Sequence, residues 1–152
     1  MKLPSLSKEE WISVLHLASG WGFLRVKATA RIVLEHFDSL TSLEKIQLGR
    51  DLSIPSWVID GFVGFVQAET ITDEEALEID SGAEATTSYK LFRIRELRIK
   101  VELIGLKEKE TFSVKEKVQE IFKEELDRLR SAETMFSDLN TNEKLAKKYI
   151  EN

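Results

Sequence analysis

Apolar residues recur at intervals of three and four along most of the chain, the period of helices that bury one face. Trp11, Val14, Leu15 and Ala18 set the pattern, and Ser7 with Glu10 ahead of them forms a capping box. That first helix is predicted to end at Gly20 or Gly22. A second runs from about Leu24 to Phe37, with Val26, Ala30, Val33 and Phe37 on its stripe. Thr41 with Glu44 opens a third through Leu52. Ile54-Pro55-Ser56 then stops it and starts a fourth from Trp57 to about Glu69, carrying Val58, Phe62, Val63 and Val66. Thr72 with Glu75 opens a short fifth, a long sixth is predicted from about Gly82 to Glu108, and Ser113 with Glu116 caps a seventh from Val114 to about Glu133. Thr141 is expected to cap a last helix. Ile99 to Ile104 is rich in β-branched residues, but its helix-forming neighbours and the lack of flanking turns favour helix there too. Four serine or threonine residues, each three places ahead of a glutamate and an apolar periodic run, point jointly to an all-α fold.

The pattern also repeats at an offset of 31 residues, within the range of helix-pair repeats. Leu15 then meets Ile46, Leu17 meets Leu48, Ala18 meets Gly49, Trp21 meets Leu52, Phe23 meets Ile54, Val26 meets Trp57 and Ala30 meets Gly61. The expected architecture is two tandem helical hairpins, followed by a long helix and a C-terminal helical hairpin. In this alignment Trp21 and Trp57 are structural corner residues, and Trp21 is expected to be a buried apolar peg. One flanking glycine would be a left-handed helix cap and the other would let the next helix approach closely. A ligand platform is the alternative for Trp21. A phosphate-gripping loop is disfavoured, since no strand precedes the glycines and no Lys-Ser or Lys-Thr closes the segment.

The sixth helix is apolar on two sides. Ile94, Leu97, Val101 and Ile104 share one face, and Phe92, Ile99, Leu103 and Leu106 lie opposite. Such a helix is either sandwiched inside the fold or turns one side toward another chain. We take Phe92, Ile99, Leu103 and Leu106 as the candidate interaction face, with a two-fold dimer as its expected use. From Lys107 onward lysine and glutamate dominate. The domains are therefore drawn as residues 1–110, the tandem hairpins with the long helix, and residues 111–152, charged amphipathic helices packing on them.

Composition narrows the function. The 152 residues are 42% hydrophobic and 32% charged, which suits a compact soluble domain. There is no apolar run of membrane-spanning length and no hydrophobic signal core at the start, so no membrane partner is expected and a cytoplasmic or nuclear location is. Cysteine is absent, which removes disulfides, thiolate zinc sites and cysteine nucleophiles together. A net charge of -5 makes general affinity for nucleic acid unlikely.

The segments "SKEEWISVLHLASGWGFLRVKATA", "KIQLGRDLSIPSWVIDGFVGFV", "ITDEEALEI" and "SYKLFRIRE" resemble, in that order, the helical region C-terminal to the BTB/POZ domain in BTB domain-containing proteins of mushroom-forming fungi. The resemblance covers about residues 6 to 97. With only Met1 to Leu6 ahead of the first helix, the BTB module itself is expected to be absent. Most proteins of that group have no assigned activity, so the resemblance implies a binding or adaptor role. It also places Arg93, Arg95 and Glu96 in an Arg-x-Arg-Glu element, where buried or half-buried ion pairs are expected to fix how the long helix lies.

Catalytic chemistry finds little material. His16 sits beside an apolar stripe, His36 falls near a helix C-terminus where the dipole favours it, and neither shares a recognised motif with a serine. Asp73-Glu74-Glu75 suits the first turn of a helix better than a cation. Lys90, Arg93, Arg95, Arg98 and Lys100 scatter around their helix, so a solvated, salt-bridged face is expected over a nucleic-acid footprint. The expected function is a non-catalytic protein-interaction scaffold or adaptor, without cofactor or metal, whose partners are other proteins. The alternatives are a nucleic-acid-associated regulator using the basic helix 90–100 and a small-ligand-binding helical domain.

Overall fold

Three helix starts are closed by reciprocal capping boxes, in which Ser7, Thr41 and Thr72 accept from the N–H of Glu10, Glu44 and Glu75 while each glutamate accepts from the cap's own N–H. Each such cap stabilises by about 1 kcal/mol. The computed structural model describes residues 4–37, 39–81, 86–104 and 112–133, and over these the chain is all-α, with no strand. The helices are α1 (Lys8–Trp21), α2 (Leu24–His36), α3 (Ser42–Asp51), α4 (Pro55–Gln67), α5 (Asp73–Asp80), α6 (Thr87–Ile104), α7 (Val114–Ile121) and α8 (123–133). The segment around Thr141 lies outside the described residues. Contacts gather the helices into two compact units, one with α1 and α2 up to Leu40, the other from Thr41 through α8. The boundary expected near residue 110 thus falls inside the second unit.

The two helical hairpins repeat at the level of the backbone. α2 and α4 are both 13 residues long and begin 31 residues apart. Gly22 is left-handed at φ 72°, and its equivalent Ser53 is left-handed at φ 55°. Across the first corner the Phe23 N–H donates to the Ala18 carbonyl at 2.9 Å, and across the second the Ile54 N–H donates to the Gly49 carbonyl at 2.8 Å. This six-to-one bond with a left-handed residue is a Schellman ending. The inner positions match as well: Leu15 and Ile46, Ala18 and Gly49, Ala30 and Gly61 are all buried.

The outer positions do not match, and here the expected role of Trp21 is corrected. Trp21 is exposed, together with Leu17, Phe23, Val26 and Phe37, whereas Leu48, Leu52, Ile54 and Trp57 are buried. Trp21 lies about a quarter of a turn off the line of Trp11, Leu15 and Ala18, at the last residue of α1, and its ring stands edge-on to Phe23 at 5.8 Å. Gly20 also lacks the expected close contact, since a Cβ there meets open space. Close approach occurs in the second hairpin instead. A Cβ on Gly49 would lie 2.7 Å from Val58 Cγ2, and one on Gly61 would lie 2.6 Å from Ile46 Cγ1 and 2.7 Å from the Ser42 carbonyl.

The core of the second unit centres on α4. Phe62 is fully buried and stacks on Phe122 at 4.2 Å with a 30° tilt, and Ile46, Val58, Val66, Leu91, Ile94, Val118 and Leu126 close around them. Phe122 interrupts the single helix expected from Val114 to about Glu133, so that α7 and α8 meet at this residue, still joined by the Leu126 N–H donating to its carbonyl. On α6 the buried line is Thr87, Leu91 and Ile94, which shares Ile94 with the first expected face but is rotated away from its Leu97 and Ile104 side. Leu97 and Ile104 are exposed, so the helix is packed on one side and is not sandwiched.

Gly20→Ala should raise stability by up to about 1 kcal/mol, because a helical glycine without a tight neighbour, here in the last turn of α1, only adds backbone freedom to the unfolded chain. Gly61→Ala should lower it by about 1–3 kcal/mol through overpacking. Urea midpoints of the two variants check both signs; an unchanged Gly61→Ala midpoint would mean that α3 and α4 sit further apart than described.

Candidate functional site

The most connected polar group of the second unit is the Arg50 guanidinium, at the end of α3. Its Nε donates to Glu125 Oε1 on α8 at 2.6 Å, Nη1 donates to the Ile79 carbonyl on α5 at 2.7 Å, and Nη2 donates to Thr87 Oγ1 on α6 at 3.0 Å. The guanidinium carbon also lies 5.5 Å from the Phe62 ring centroid. Next to it, Asp80 Oδ1 accepts from the Ser88 N–H at 2.8 Å and holds the start of α6 against the end of α5. The planar fork of arginine suits this arrangement, because it serves several acceptors from one buried position.

Arg50 forms the floor of an open cleft of about 800 Å³, whose walls include Lys90, Phe122, Lys123, Arg128 and Glu124. Lys90 Nζ sits 5.6 Å from the Phe122 ring centroid. Four cations and three carboxylates line the cleft, so it carries no strong field of either sign. The Arg50 donors that face it are already engaged in holding α5, α6 and α8 together.

The Arg-x-Arg-Glu element behaves differently from expectation. Arg93 is exposed over the Tyr89 ring, and Glu96 pairs with Lys100 at 3.1 Å on the surface. Arg95 does tie α6 to the chain after α4, by donating to the Glu69 carbonyl. The ion pair that fixes the packing is Arg50–Glu125, a pair that sequence reasoning missed. Its only local signal is an arginine among the buried positions Leu48, Gly49 and Leu52 near the end of α3.

Phe92, Ile99 and Leu103, with Tyr89, form an exposed stripe along α6, and Leu106 lies outside the described residues. Trp57 is buried at the second corner, while Trp21 stands exposed at the first. His16 and His36 are exposed on α1 and α2, and His36 meets Phe37 edge-on. Of the acidic triplet, Asp73 and Glu74 are exposed and Glu75 is engaged in the Thr72 capping box. No described helix is long and apolar enough to cross a membrane. Compared with protein-family models, with curated proteins and with solved structures, the chain shows no match.

Arg50→Met should cost about 3 kcal/mol, because it strands the Glu125 carboxylate and two further acceptors in a mostly buried place. Arg50→Met with Glu125→Leu should recover much of that loss. Equal destabilisation of the single and double variants in urea would show that the pair is not the unit that matters.

Proposed function

We propose that this chain is a non-catalytic protein-interaction scaffold of the adaptor kind, working in the cytoplasm or nucleus. The observation that carries this is α6, whose Thr87, Leu91 and Ile94 line supplies the core while Tyr89, Phe92, Ile99 and Leu103 run along its solvent side. A helix that meets the needs of its own core with one line has no internal use for a second apolar stripe, and such stripes on soluble proteins mark contact surfaces. The resemblance to post-BTB helical regions points the same way. The partners are other proteins, and a second copy is the simplest of them, since two-fold dimers are the commonest assemblies. No cofactor or metal enters this role.

Light scattering at tens of micromolar should report a dimer for the wild type. Leu103→Glu should give a monomer with unchanged circular dichroism, because Leu103 is 80% exposed in the chain and a charge there costs most when a partner closes over it. A monomeric wild type, or a Leu103→Glu variant that stays dimeric, would remove α6 as the self-association surface.

A further inference from the structure

The two corners share a backbone and differ in cover. Leu17, Trp21, Phe23 and Val26 are 45% to 69% exposed, whereas Leu48, Leu52, Ile54 and Trp57, 31 residues further on, are at most 8% exposed. The first hairpin therefore shows to solvent the positions that the second keeps covered within an all-helical protein. Trp21 and Phe23 brace each other edge to face, so the patch is a preformed platform with little rotamer freedom left to lose on binding.

Charge indicates what fits there. From Trp11 to Leu34 the chain has no Asp or Glu, although its net charge is -5; Arg25 and Lys27 flank Val26 in this stretch, while Arg31 is paired with Glu35 at 2.9 Å. α2 has no acidic residue in its first turn and no side-chain cap, so the positive end of its dipole adds to the same field. A second copy of the corner would set these cations against their like, which costs affinity. An apolar surface ringed by acid gains from the same arrangement.

We propose that the first corner is the docking surface for an acidic amphipathic helix of another protein, its apolar side chains on Leu17, Trp21, Phe23 and Val26 and its carboxylates toward Arg25 and Lys27. A helix fits because, among the described residues, the apolar face of α4 with Phe62 and Val66 is covered by other helices of the second unit. The site lies on different helices from the α6 stripe and stands or falls independently of it.

Tryptophan quenching tests this directly, since Trp11 and Trp57 are buried and acrylamide reaches chiefly Trp21. The probes are two lactam-locked helical peptides with leucines at i, i+3, i+4 and i+7, flanked by glutamates in one and by lysines in the other, and vesicles of phosphatidylserine and phosphatidylcholine. The glutamate peptide should protect Trp21 and bind at least about tenfold more tightly than the lysine peptide, a margin typical of charge complementarity. Arg25→Glu with Lys27→Glu should reverse that preference, and Leu103→Glu should leave it intact. Trp21→Ala should fold normally and lose calorimetric binding of the glutamate peptide. Equal affinity for both peptides, protection by neither, protection by vesicles alone, or undiminished binding by Trp21→Ala would overturn the proposal. So would self-association that Trp21→Ala abolishes, which would make a second copy the occupant.

Discussion

A single guanidinium joins segments that lie far apart along the chain. Arg50 reaches acceptors 29, 37 and 75 residues away, on the last turn of α5, the first turn of α6 and the first turn of α8. Its side chain is mostly buried, so its charge is tolerated only because every arm of the fork meets an acceptor and the Phe62 ring lies against its face. Much of the second unit's geometry follows from that condition. α5 must end where its carbonyl faces Arg50, α6 must begin where Thr87 does, and α8 must bring Glu125 alongside. The outward direction of the α6 stripe follows from this docking together with the burial of Leu91 and Ile94.

The local part of the fold was legible in the sequence because its signals are local. Capping boxes, the proline at the start of α4 and the left-handed endings act within a few residues, and their positions in the chain announce them. The hairpin repeat was legible for the same reason, and it extends to backbone hydrogen bonds that no side-chain comparison displays. Arg50 was illegible because its partners have no fixed spacing. α6 misled in another way: it is apolar on two sides, and its buried line passes through polar Thr87, so the apolar residues marked a line through Ile94 that is rotated from the one buried.

Trp21 shows the limit of periodicity most plainly. Alignment with Leu52 correctly gave it the same place on the same corner, but periodicity states which side chains are apolar and not which are covered. Coverage depends on what else packs nearby, and the two corners differ in that respect. Even their interiors diverge in a consistent sense, with alanine in the first hairpin where the second has glycine at both close-contact positions, so the second pair of helices is pressed more tightly together than alanine at those positions would permit.

The corner itself is built almost entirely from main chain: one left-handed residue, one six-to-one hydrogen bond and the first turn of the next helix. Glycine supplies the left-handed residue once and serine the other time, and the flanking side chains are tryptophan and phenylalanine in one copy, leucine and isoleucine in the other. Shape and surface chemistry are thereby uncoupled. Such a corner can exchange its outward side chains through mutation while keeping its bend, which leaves the first hairpin free to change the company it keeps without refolding.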